Sequence, residues 1–285
     1  MLFSLCWVLL LCVLGPQTAE NAGTKVVIRN TFGEHSSDNT TYSMADRRRT
    51  EFRHAVQRTK EEGSVEWEDE VAIVLIVRCD LGQSFSLNMK AEEYGMAEYP
   101  PKRLTPEEMA SRGMNPSVAP QPTLRIETTT VDTGEREELF GHVARHVITT
   151  TKQIPLEGSH TQAQETVRDG WYIDVDRRIS CDPKPLVGSG SHGFVTVGTA
   201  FVGGKAMMME RPEFVDIGAR ETGFPLKEVR TTTSETVPAT GVRRYSDSIN
   251  ESEVTQFTEG SLDPALFEVP PGFRQVERSQ RNLAR

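Results

Sequence analysis

The stretch GHVARHV, residues 141–147, sets His142 and His146 four residues apart. On a helix this spacing brings two imidazoles to one face, where they can share a zinc ion. It also brings them to one face of a strand, because four is an even number. The neighbours decide: GHVARHVITTT is rich in Val, Ile and Thr, which favour strands. A zinc-hydrolase helix also needs Glu directly after the first histidine as general base, and that place holds Val143. Nothing in the spacing makes Glu137 or Glu138 a third ligand. The expectation is a strand after a turn at Thr133-Gly134, with His142 and His146 on one face of a sheet. No metal site is expected; a metal ion held by His142 and His146 is the alternative.

Other candidates fail on context. GSGSHG (188–193) matches G-x-G-x-x-G through Gly188, Gly190 and Gly193. A dinucleotide fingerprint needs a strand before it and a helix after it. Here CDPKPLV precedes it and FVTVGTAFVGG follows, so it reads as a loop and no cofactor is expected. Ser191 and His192 are adjacent, which does not define a nucleophile–base pair. Asp174 and Asp176 read as a solvated face of the Trp171 strand rather than as an acid/base pair. No catalytic set emerges, and the chain is read as non-enzymatic. The three methionines of KAMMMERPEF (205–214) suit either a core or a surface facing varied apolar ligands.

The elements that must carry these residues begin with an export signal. MLFSLCWVLLLCVL (1–14) is uncharged, too short to span a bilayer comfortably, and fits the apolar core of a secretory signal. Gly15-Pro16 breaks it, and Ala19 offers a cleavage position, giving a signal peptide over 1–19; lipid anchoring at Cys12 or a retained N-terminal anchor is the other reading. No later segment is long and apolar enough to cross a membrane as a helix. The net charge of −9 repels phosphate backbones, so no nucleic-acid partner is expected. Arg47-Arg48-Arg49 reads as the solvated end of a strand. Beyond the signal only Cys79 and Cys181 remain, and one pair in an exported chain favours a disulfide. Two buried free thiols are the other reading. The bond would close a loop of about 100 residues, worth roughly 4–5 kcal/mol.

Most of the rest reads as β. TKVVIRN (24–30) is a short strand, and VAIVLIV (71–77) a central strand covered on both faces. DLGQ (80–83) turns it back into an alternating strand through Phe85, Leu87 and Met89. Thr105, Pro106 and Glu108 start a helix of about two turns that Gly113 stops. Leu124, Ile126, Thr128 and Thr130 alternate with Arg125, Glu127 and Thr129. Asp169-Gly170 is a turn or bulge before a strand through Trp171, Ile173 and Val175. LKEVRTTTSETV (226–237) and ESEVTQFTE (251–259) are Thr-rich strands. Asp263 caps a short turn with Pro264 at its first position, and Leu262 and Phe267 staple it. This end should dock on the sheet, while RQVERSQRNLAR (274–285) frays. The class is mainly β with a few short helices, in a largely antiparallel sheet.

Six phrases in order resemble a group of exported bacterial proteins whose fold looks like the lipoprotein-localisation factors, the LolA/LolB-like superfamily. They are ADRRRTEF (45–52), VRCDLGQSFSLN (77–88), DTGEREELFGHVARHV (132–147), DGWYIDVD (169–176), ETGFPL (221–226) and LFEVPPGF (266–273). The resemblance implies one antiparallel half-barrel domain over residues 24–273, with short helices or loops closing an apolar concave face. It implies a periplasmic or envelope protein that binds a lipid or a lipoprotein acyl chain. With the Met and aromatic content of 194–214, it makes Trp171, Phe194, Phe201, Met207 and Met208 candidates for the cavity lining. A runner-up is an envelope scaffold whose sheet face or edge binds a protein partner. A metal-dependent hydrolase using His142 and His146 is third.

Overall fold

The computed structural model describes residues 22–59, 65–102, 108, 111, 121–159, 161–182, 201–202, 205–206, 211–236 and 244–277. The signal segment, most of the 104–113 helix, the GSGSHG loop, Phe194, Met207 and Met208 lie outside them. The first strands are β1 (Ala22–Phe32), β2 (His35–Met44), β3 (Arg47–Thr59), β4 (Val65–Arg78), β5 (Gln83–Asn88) and β6 (Glu93–Glu98). Then come β7 (Leu124–Leu139), β8 (His142–Pro155), β9 (Gln164–Ile173), β10 (Phe201–Val202), β11 (Lys205–Ala206) and β12 (Pro212–Ile217). The last are β13 (Phe224–Thr236), β14 (Arg244–Ser261) and β15 (Arg274–Gln275).

Thirteen of these strands form one sheet in the order β12-β7-β8-β9-β13-β14-β1-β2-β3-β4-β5-β6-β15, and β10 pairs with β11. The sheet stays open, because β12 and β15 are its two ends. Its interior pairings are antiparallel, as expected. The outermost two, β12 on β7 and β15 on β6, are parallel. Parallel neighbours require a long connection. Both edge strands are late segments that return to strands laid down much earlier in the chain. The charged segment before ESEVTQFTE pairs as part of β14.

The apolar patterns bury two clusters. Val26, Ala144, Ile173, Leu226 and Val254 form one, with Trp171, Phe224 and Phe257 packed against it. Met44, Val74, Ile76, Leu87 and Phe267 form the other. In β4, Val74 and Ile76 are fully buried while Ile73 and Leu75 are only half-buried. The strand is central, but its two faces are covered unequally. A 3-10 turn at Cys79–Leu81 ends it, and Gly82, in the left-handed region, starts the return. At the C-terminal end Asp263 accepts a hydrogen bond from the Ala265 N–H, and Pro264 opens a turn over Pro264–Phe267. Leu262, Leu266, Phe267 and Phe273 then close the second cluster.

Four expectations are corrected. Thr133-Gly134 is not the hairpin turn: β7 continues to Leu139 through a register break between Asp132 and Arg136. The chain reverses at Phe140-Gly141, where both residues have positive φ. Asp169-Gly170 lies inside β9, in register with Val229 and Glu228. The bulge belongs to the facing strand, between Pro225 and Lys227. Arg48 and Arg49 are not solvated: Arg48 pairs with Asp182, and Arg49 binds Glu51 and the Leu266 carbonyl. Finally, Arg274–Gln275 does not fray but adds β15 to the sheet edge.

The Cys79–Cys181 disulfide is present and spans 102 positions. It ties the β4–β5 turn to the segment after β9, where Asp182 also receives Arg48 and the Tyr99 hydroxyl.

Candidate functional site

Along β8, His142, Ala144, His146, Ile148 and Thr150 project from one face, because alternate residues of a strand share a side. His142 meets the Phe257 ring edge-on at 5.4 Å. His146 stacks on Trp171 at 4.9 Å, and these two residues are register partners. Four residues of strand separate the two histidine backbones by about 13 Å. The sheet therefore puts both on one face without bringing them together, and one ion cannot take both as ligands at about 2.0 Å. Among the described residues no group of three or more His, Cys, Asp or Glu is placed to hold a metal ion.

His146 has its own polar surroundings. Its Nε2 donates to Asp169 Oδ1 at 2.7 Å. Thr133 Oγ1 lies 3.1 Å from Nδ1, and Glu135 Oε2 lies 3.3 Å from the same atom. Hydroxyl, imidazole and carboxylate stand in the order of a nucleophile, base and orienting group. Further contacts oppose that use. Thr133 Oγ1 already accepts the Glu135 N–H, and the Gly134 N–H is taken by Asp132. Both amides that could serve an oxyanion there are thus occupied, and the Glu135 carboxylate adds a negative charge 3.3 Å from His146 Nδ1. These bonds instead hold the extra residues of the β7 bulge against β8.

Beyond His146 and Trp171 the same face continues as two adjacent rows. One runs Val131, Ile148, Asp169, Val229 and Glu251. The next runs Ile217, Thr129, Thr150, Val167, Thr231 and Ile249. Val131, Ile217, Val229 and Ile249 are 42–53% exposed. The result is a stripe of branched aliphatic and threonine side chains across six strands, with the exposed Asp169 and Glu251 carboxylates set in its first row.

The opposite face holds a site that sequence reasoning missed. The Tyr172 hydroxyl donates to Glu228 Oε2 at 2.7 Å, and Arg230 Nη2 donates to Glu228 Oε1 at 3.1 Å. Tyr172 and Glu228 are both buried. Burial first, and then the Glu228 charge, hold the Tyr172 phenol well above its usual pKa. Below this site Arg145 joins Glu221 and Asp174, whose hydrogen bonds raise its own pKa. Arg177 lies over the Phe224 ring at 4.5 Å, and burial pushes its pKa down to about 10. Asp174 and Asp176 are exposed, paired with Arg145 and Arg178.

Of the candidate lining residues, Trp171 is half-buried at the boundary between the first cluster and the stripe. Phe201 belongs to β10, and its side chain is outside the description, as are Phe194, Met207 and Met208. Among the described residues no helix is long and apolar enough to cross a membrane.

No family model matches the chain, and no curated protein matches it. Among solved structures it is similar to the crystal structure of a DUF1329 family protein from Desulfovibrio piger ATCC 29098. The match has a TM-score of 0.18 and 11% identity, and it covers 88% of this chain and 91% of that one.

Proposed function

We propose that this is an exported, non-enzymatic protein that holds an apolar ligand, a lipid or the acyl chain of a lipoprotein, against its open sheet. The carrying observation is the stripe of Val131, Ile217, Val229 and Ile249, which the fold leaves 42–53% exposed on two adjacent rows. Half-buried Ile148, Thr150 and Val167 lie between them in the same rows, and exposed apolar surface gathered in this way marks an interaction site. Each Å² of it covered by an acyl chain contributes about 25 cal/mol, so no charged contact is needed. The Cys79–Cys181 bond supports an oxidising compartment, the periplasm or cell envelope. The six phrases that resemble the lipoprotein-localisation factors point the same way.

The uncharged fluorophore N-phenyl-1-naphthylamine tests the stripe. Its emission should rise saturably with the native protein and stay low with the Val229→Glu, Ile249→Glu double variant. Equal emission from the two folded proteins would remove the stripe as the binding surface.

A protein partner is the second reading, and β12 favours it. Among the described residues this edge strand pairs only with β7, and it exposes Phe214 and Ile217. An extended segment of a partner can add to such an edge. Co-purification of a defined envelope protein that Phe214→Lys abolishes, with no lipid bound, would select this reading.

A further inference from the structure

The register of β9, β13 and β14 sets Arg168 directly opposite Arg230, and Arg230 opposite Asn250. Like charges facing each other across a sheet are destabilising. One buried carboxylate, Glu228, lies beside the pair, and its two oxygens already serve Tyr172 and Arg230. Arg168 has no hydrogen-bond or ion-pair partner among the described residues. Arg230 keeps a buried Nε without a partner. Two guanidiniums against one carboxylate leave one positive charge uncompensated. Burial, followed by the charge of Arg230, holds the Arg168 pKa below its ordinary value, against the smaller opposing pull of the shared Glu228 carboxylate.

A groove of about 560 Å³ opens on the Arg230 side of this pair, and Arg168 stands behind its lining. Glu228, Arg230, Asn250, Ser252, Ser37 and Phe32 are among the residues that line it. Its volume falls in the range of small-molecule sites. The Asn250 amide and the two serine hydroxyls add neutral donors, and Phe32, 61% exposed, offers an apolar wall. Glu251 also borders the groove, but it alternates to the other side of β14 from Asn250 and Ser252. Val229 and Ile249 likewise alternate with Arg230 and Asn250, so the groove and the apolar stripe lie on opposite faces.

We propose that this groove binds a small organic anion whose phosphate or carboxylate group is held by Arg230, with the uncompensated charge of Arg168, its register partner on β9, drawing the anion in. Guanidinium forks match both groups with paired hydrogen bonds. The anion supplies the missing counter-charge, and its apolar part lies along Phe32. This site does not depend on the lipid reading, and either can fail alone.

Calorimetric titration of the full chain tests it, with octyl phosphate, octanoate and inorganic phosphate as probes and neutral octyl glucoside as control. At least one octyl anion should bind at one per chain, and octyl glucoside should not. Inorganic phosphate binding as tightly as octyl phosphate assigns the site to the free oxyanion; weaker binding assigns it to the organic anion. Arg168→Gln and Arg230→Gln should each weaken binding tenfold or more. Arg168→Gln should also keep or raise the Tm of the unliganded protein, because the like-charge contact is gone, while abolishing the Tm rise given by the anion. Should Arg230→Gln fail to fold, the near-isosteric Asn250→Asp replaces it, with the same tenfold loss expected. Absence of anion binding, equal binding of octyl glucoside, or unchanged affinity in Arg168→Gln would overturn the proposal.

Discussion

The Tyr172 hydroxyl donates a 2.7 Å hydrogen bond to Glu228 Oε2, joining β9 to β13 at a buried position across 56 residues of sequence. The bond satisfies a phenol and a carboxylate that would each be costly to bury alone. It also turns Glu228 so that its second oxygen receives Arg230.

Tyr172→Phe should therefore cost about 1–3 kcal/mol in urea unfolding at neutral pH, since Glu228 loses a buried donor. Because the folded-state pKa of Tyr172 is raised, its contribution is complete below the unfolded value of about 10 and is lost as pH rises above it. The native protein should lose stability above about pH 10, and Tyr172→Phe should lose less over the same range. Parallel alkaline limbs for the two proteins would contradict this assignment.

Gly170→Ala tests how closely β9 and β13 approach. An added Cβ would lie 2.7 Å from the Lys227 carbonyl oxygen and 3.0 Å from Tyr172 Cε2. Backbone on one side and a buried ring on the other leave little room to yield. A loss of about 1–3 kcal/mol is expected, measurable as a lower urea midpoint.

The disulfide should carry a large share of the stability. Replacing Cys79 and Cys181 together by Ala frees a loop spanning 102 positions. The expected loss is roughly 4–5 kcal/mol. Thiol titration of the denatured, unreduced native protein should find neither Cys79 nor Cys181 free, and two reactive thiols there would refute the bond.

The C-terminal clasp gives a contrast between two nearby residues. Phe267 is fully buried in the second cluster, so Phe267→Ala should cost about 3–5 kcal/mol. Asp263 is exposed and makes its hydrogen bond at the start of the turn, so Asp263→Ala should cost about 1 kcal/mol. Comparable losses for the two would mean that the turn, rather than the packing, holds this segment.

The parts of this fold that were readable in the sequence are those where a local signal and the global structure agree. The apolar run of β4, the Gly82 return and the Asp263-Pro264 turn are set by neighbours a few residues away. The true β7–β8 turn is not legible in the sequence, because Thr-Gly is a better turn signal than Phe-Gly. In the structure Thr133, Gly134 and Glu135 are absorbed into a bulge whose bonds reach His146, ten or more residues away. Arg48 and Arg49 read as solvated in the sequence because their acceptors, Asp182 and the Leu266 carbonyl, lie more than 130 positions along the chain. The Tyr172–Glu228–Arg230 site and its neighbour Arg168 depend on the β9–β13 register, which a single extra residue near Leu226 sets. No spacing within either strand announces it.

The most direct test of the proposed function is mass spectrometry of organic extracts from the protein purified out of its native envelope, beside an unrelated exported control. The account predicts a specific lipid at close to one per chain, absent from the control and lost in the Val229→Glu, Ile249→Glu variant. A protein that is empty on isolation, and still empty after incubation with vesicles of envelope lipids, would contradict it.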